Sequence, residues 1–222
     1  MGEVEIDTVN RHFNIYSHIV LYGDAANEEM ARLMSDEIAS LWNEPGGFVF
    51  YKDQHFTPRF IITGEAKPGI DQLEVISNTN ARNNYFRVEE FIHGNISFVD
   101  GLGCNSGYFL VENLYSGSTT AAHEYGHTLG LDHPKYLDIR GNGVPGIMYP
   151  RGTLVDAEFQ YDPTKPAGET GGTMHPMKRK VKQEDIDSLR IEKLNFVNRK
   201  AVLGWFTNVY HWKHVPGNIS DV

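Results

Sequence analysis

The chain has 222 residues, enough for one domain with a sizeable core. Hydrophobic residues make up 40% and aromatics 12%, which excludes a disordered chain, and no apolar run reaches the roughly 20 residues that span a bilayer. A formal net charge of −9 argues against nucleic acid as the main partner, and a single cysteine, Cys104, excludes an internal disulfide.

The opening MGEVEIDTVNRH lacks the basic region and apolar stretch of a secretory leader. Two expectations follow: a chain made for the cytoplasm, or a mature or excised piece of a secreted or exported protein. HFNIYSHIVLY (12–22) is rich in β-formers and predicts a strand. Asp24 is a plausible cap for a helix over about 26–43, where Met30, Leu33, Met34, Ile38, Leu41 and Trp42 recur at three- and four-residue intervals. FVFYKD (48–53), RFIITGE (59–65), YFRVEEF (85–91) and GYFLVENL (107–114) predict further strands. This order suggests an α+β fold with a twisted mixed sheet and a helix packed on it.

A second helix is expected from Ser118 to about Leu129, capped by Ser118 or Thr119 and favoured by Ala121 and Ala122. Residues 134–181 are irregular and rich in Gly, Pro, Asp and Thr. KRKVK (178–182) reads as a solvated loop. QEDIDSLRIEKL (183–194) predicts a C-terminal helix with Ile186, Leu189 and Leu194 on its apolar stripe, and AVLGWFTNVYHW (201–212) predicts one or two short strands or an aromatic cover.

The chemistry is concentrated in HEYGHTLGLDH (123–133). On a helix, His123 and His127 lie one turn apart on one face, so their imidazoles can grip one divalent ion. Gly130 permits a sharp turn, expected to need positive φ, that returns His133 as a third nitrogen. A fourth position is left for water, the pattern of a catalytic rather than a structural zinc. Glu124 stands beside the first ligand, where its carboxylate can reach that water. Coincidence among ten histidines is the competing explanation, and the five fixed positions make it a poor one.

His123, Glu124, His127, Gly130 and His133 form HExxHxxGxxH, the signature of metzincin metalloproteases, which the chain resembles. GIMYP (146–150) is similar to the methionine turn of that group, in its matrixin form, and implies Met148 as the floor of the site. QEDIDSLRIEKL is similar to the closing helix of matrixin catalytic domains. The resemblance covers about 12–194 and leaves the tail, 195–222, outside. It implies one catalytic domain over 1–222, with a sheet-and-helix part (about 12–133) and a C-terminal subdomain (about 134–194).

The chain departs from matrixins at GLGCNSGYF (101–109), where Asn105 and Gly107 replace expected metal ligands, so the structural metal sites are expected to be missing. Calcium at Asp138 and Asn142 is a lesser expectation than solvated loop side chains. Cys104 lies within the domain and reads as a small packed residue, not a zinc-blocking switch. GGTMHP (171–176) is a rival methionine turn, but Met174 and His175 lie far from His133 and read as loop residues. WNEPGG, NTNARNN and the aromatic tail also resemble bacterial metallopeptidase toxin domains, which implies an immunity or inhibitor protein as partner.

The expected activity is zinc-dependent hydrolysis of a peptide bond by a monomer, with Glu124 as general base. Tyr149 is expected either to line the pocket and donate to the oxyanion or to pack in the core. The substrate would add a strand to the sheet at YFRVEEF, and residues 151–181 would wall the pocket beyond the cut. The alternatives are a toxin or effector domain, a zinc amidohydrolase acting on cell-wall peptides, and a zinc-holding module without catalysis.

Overall fold

The computed structural model describes residues 1–216. Its architecture is α+β, built on one curled mixed sheet. The central strand is β2 (His12–Tyr22), with the bounds its β-formers predict. β1 (Gly2–Asp7) alternates apolar and acidic residues, burying Val4 and Ile6, and pairs antiparallel with the first half of β2. Sequence reasoning passed over β1 because that stretch was weighed only as a leader.

α1 (Glu28–Asn43) follows, capped by Asn27, whose side chain accepts from the Met30 N–H at 2.9 Å. Asp24 is therefore not the cap. Ala31, Met34, Ser35, Ile38 and Trp42 face the core, while Leu33 is exposed, contrary to its place on the expected stripe. β3 (Val49–Tyr51) forms a hairpin with β4 (Gln54–Ala66), which runs on parallel to β2. A short helix, α2 (Gln72–Ile76), unanticipated in the sequence, leads to β5 (Asn83–Glu89).

β5 lies between β2 and β7 (Ser106–Leu110), parallel to both and buried from Asn84 to Glu89. YFRVEEF is thus an interior strand and cannot receive a substrate. The outer strand is β6 (Phe98–Val99), antiparallel to β7. Gly107 admits this approach, because a Cβ there would sit 2.3 Å from the Phe98 carbonyl oxygen.

α3 (Thr120–Thr128) packs against α1. Trp42, 1% exposed, meets Tyr125 edge-on at 5.9 Å and donates from Nε1 to the Ala122 carbonyl at 3.1 Å. The Tyr125 hydroxyl lies 2.8 Å from Ser17 Oγ on β2. The variable positions of the histidine motif therefore tie α3 to the core. Thr119 is left-handed (φ 58°) and gives α3 no side-chain cap; Ser118 Oγ accepts from the Thr120 N–H instead.

Beyond α3 the chain is irregular but packed. Ile139, Val155 and Met174 make a small core with Tyr149 and Phe159 against it, so Met174 is a core residue rather than a loop residue. Asp138 is held by Arg140, with Nε at 2.8 Å, so its carboxylate is already engaged. KRKVK is not simply solvated: Arg179 and Val181 are buried, and Lys180 pairs with Glu44. The predicted C-terminal helix ends early. α4 (Gln183–Ser188) stops, Arg190 turns left-handed (φ 51°), and a 3₁₀ turn carries the fully buried Ile191 inward.

The tail joins the sheet. β8 (Lys200–Leu203) pairs antiparallel with β1. Beyond it Asn105 acts as a clamp, its Oδ1 accepting from the Thr207 and Asn208 N–H groups, each at 2.9 Å. The residue standing where a metal ligand was expected holds the tail. Residues 217–222 of the tail lie outside the described residues. Among the described residues no helix is long and apolar enough to cross a membrane.

Candidate metal centre

His123 and His127 project from one face of α3, as their four-residue spacing requires. After His127 the chain turns at Gly130, whose φ is +96°. A Cβ there would meet nothing within 4 Å, so glycine is required by the backbone conformation and not by crowding. The turn returns His133, whose Nε2 lies 3.1 Å from both His123 Nε2 and His127 Nε2. The ligand atoms of all three lie within 4.8 Å of one another, and among the described residues this is the one such group of His, Cys, Asp or Glu.

Backbone carbonyls determine how two of the rings are used. His123 Nδ1 is 2.8 Å from the Ile147 carbonyl, and His127 Nδ1 is 2.7 Å from the Leu131 carbonyl. A carbonyl only accepts, so both Nδ1 atoms carry the proton and both Nε2 atoms present lone pairs to the centre. His133 can donate to one of them at most. Three nitrogens converging in this way repel one another unless a cation lies between them. Tetrahedral zinc with Zn–N of about 2.0–2.1 Å sets its ligands about 3.3 Å apart, close to the observed spacing. The residues therefore fit a divalent metal ion.

Burial lowers the pKa of all three rings, that of His123 well below the ordinary imidazole value, so they stay neutral and able to ligate at neutral pH. Met148, 3% exposed, lies against α3 where Gly126 has no side chain; a Cβ on Gly126 would sit 2.3 Å from its sulfur. Gly126 is thus a site residue that sequence reasoning missed, legible only as the small residue inside HEYGH.

A cavity of about 500 Å³ opens in front of the triad. Glu124 lines it, 7% exposed, and burial raises its pKa to about 8 against the opposing pull of Arg179. Ser97, Phe98 and Val99, at the outer strand, form another wall. Arg151 contributes from the start of the 151–181 segment, Arg179 from its end, and Pro150 from the turn just before it. Tyr149 is not among the lining residues. Its ring packs toward Ile139, Val155 and Met174 and borders a second cavity with Gly130 and Asp185.

Arg179 is the principal residue missed. It is 4% exposed and donates from Nε to Thr119 Oγ1 at 2.9 Å and from Nη1 to the Tyr149 carbonyl at 3.2 Å. It thereby joins the start of α3 to the methionine turn and places a positive charge near Glu124. Cys104 is buried as expected, with its thiol pKa raised by desolvation. Compared with known proteins, the chain matches no family model and none of the curated proteins searched.

Proposed function

We propose that the chain is a zinc-dependent endopeptidase of matrixin-like metzincin type. The observation that carries this reading is the convergence of three imidazole Nε2 atoms, two fixed as lone-pair donors by backbone carbonyls, in a cavity shared with Glu124. Met148 beneath α3 and the mixed sheet with its antiparallel outer strand support the same reading.

His123, His127 and His133 would hold the ion, which supplies Lewis acidity, lowering the pKa of water toward 7 and polarising a carbonyl. The substrate lies extended along the free edge of β6, its backbone groups pairing with those of Phe98 and Val99. Burial alone favours protonated Glu124, but the charge of a bound ion would favour its carboxylate, which accepts a proton from the attacking water as the new C–O bond forms. It then gives that proton to the amine nitrogen as the C–N bond breaks. The buried wall around Glu124 restricts bulk water.

The test pairs metal analysis with proteolysis. The purified chain is expected to hold one zinc per molecule and to cleave casein until a chelator removes the metal. Glu124→Ala is expected to keep the zinc and lose about 10²–10⁴-fold in rate, the range for general-base removal. Zinc retention with undiminished cleavage would refute the role of Glu124. Zinc retention with no cleavage by the unaltered chain would favour a binding module.

A further inference from the structure

Arg179 is a buried cation without a counter-ion. Among the described residues no carboxylate oxygen lies within 4.0 Å of its guanidinium. Its partners are neutral oxygens: Thr119 Oγ1, the Tyr149 carbonyl and, at 3.5 Å, the Ser118 carbonyl. Three of its five N–H groups are thereby used. Burying such a charge costs several kcal/mol unless something of opposite sign meets it.

Arg151 lines the same cavity, exposed but steered by one bond, from Nη2 to Asn113 Oδ1 at 2.9 Å. It too lacks a carboxylate within 4.0 Å among the described residues, and its charge is felt at Arg179. The acids lining the cavity are otherwise committed. Glu124 serves proton transfer in the reading above, and Asp132 Oδ1 accepts from the His133 N–H at 2.7 Å. Ile96, Phe98 and Pro150 supply apolar wall suited to a methylene stem. The chain as a whole is acidic, so this basic pair is a local feature opposed to the overall charge.

We infer that the cavity selects a substrate residue with a carboxylate side chain, held by Arg151 and Arg179 beside the scissile bond. The inference rests on the peptidase reading and adds the substrate class. A carboxylate between two guanidinium groups forms charge-assisted hydrogen bonds and relieves their mutual repulsion. An amide of the same shape does neither.

The zinc-loaded chain is given capped peptides that carry Glu, Gln, Leu or Lys at each position flanking a cleaved bond. At one position Glu is expected to raise kcat/KM at least about tenfold over Gln, falling below about threefold at high salt. In Arg151→Gln the Glu-to-Gln ratio is expected to collapse, while Arg151→Lys keeps most of it. Because Arg151 is exposed, both variants are expected to fold, which circular dichroism checks.

Equal rates for Glu and Gln, or a preference for Leu, would overturn the inference and leave the peptidase reading standing. Cleavage of none of the peptides would count against the peptidase reading itself. Calorimetry with the same capped Glu and Gln peptides then decides the anion site: tighter binding of Glu that is lost in Arg151→Gln supports it, and equal or absent binding overturns it.

Discussion

Arg87 and Arg179 are both buried, 7% and 4% exposed, in opposite circumstances. Arg87 sits on interior strand β5, with Nη2 2.5 Å from Glu89 Oε1 and Nη1 donating to the His211 carbonyl of the tail. Burial alone would lower its pKa, but the Glu89 hydrogen bond and charge outweigh burial and leave it raised. Arg179 has only neutral partners, and burial takes it down to about 10, still charged at neutral pH. A buried charge completed within the chain fastens structure, here the tail to the sheet. One left incomplete beside a cavity is available to a ligand.

The largest expected effect tests the first half of that contrast. Glu89→Gln removes the only close carboxylate partner of Arg87 among the described residues and is expected to cost about 3–5 kcal/mol in urea unfolding, without altering peptide preference. Arg179→Met, similar in volume, forfeits hydrogen bonds but no ion pair and is expected to cost about 1–2 kcal/mol. Its larger effect should be on cleavage. A reversed order of stability losses would break the comparison.

Asp185 extends the contrast to a half-buried anion. Its carboxylate accepts from the Lys182 N–H at 2.8 Å, yet burial raises its pKa from 3.8 to about 6. A raised folded-state value favours the folded chain below pH 3.8, and that advantage is lost as pH rises toward 6. The two-unit shift corresponds to about 3 kcal/mol. Asp185→Asn is therefore expected to flatten the stability profile between pH 4 and 6 relative to the unaltered chain. Parallel profiles for the two would remove Asp185 as the cause.

What the sequence made readable was local. His123, His127, Gly130 and His133 lie on one helix and its turn, so helical periodicity and one positive φ suffice to assemble them. β2 was readable for the same reason, as a local segment rich in β-formers. Arg179 was hidden because KRKVK reads as a charge run, whereas an extended segment alternates and turns Arg179 and Val181 inward. The outer strand was misplaced because chain order does not give strand order: β7 enters beside β5 and leaves the short β6 outside. α4 was overextended because the apolar stripe carries no sign of the left-handed turn at Arg190.

The smallest effect concerns Tyr149, for which sequence reasoning left two roles open. Its ring packs on Ile139, Val155 and Met174 and borders the cavity with Gly130 and Asp185 rather than the one with Glu124. Its backbone carbonyl, not its phenol, reaches the cavity residues, by accepting from Arg179 at 3.2 Å. Tyr149→Phe keeps that carbonyl and the packed ring and removes only the hydroxyl. The change in kcat/KM is expected to stay below about threefold, under 0.7 kcal/mol of transition-state stabilisation. Loss of an oxyanion donor would instead cost about 10²–10³-fold. A loss of that size, with the Glu-to-Gln preference intact, would return the phenol to the reacting carbonyl.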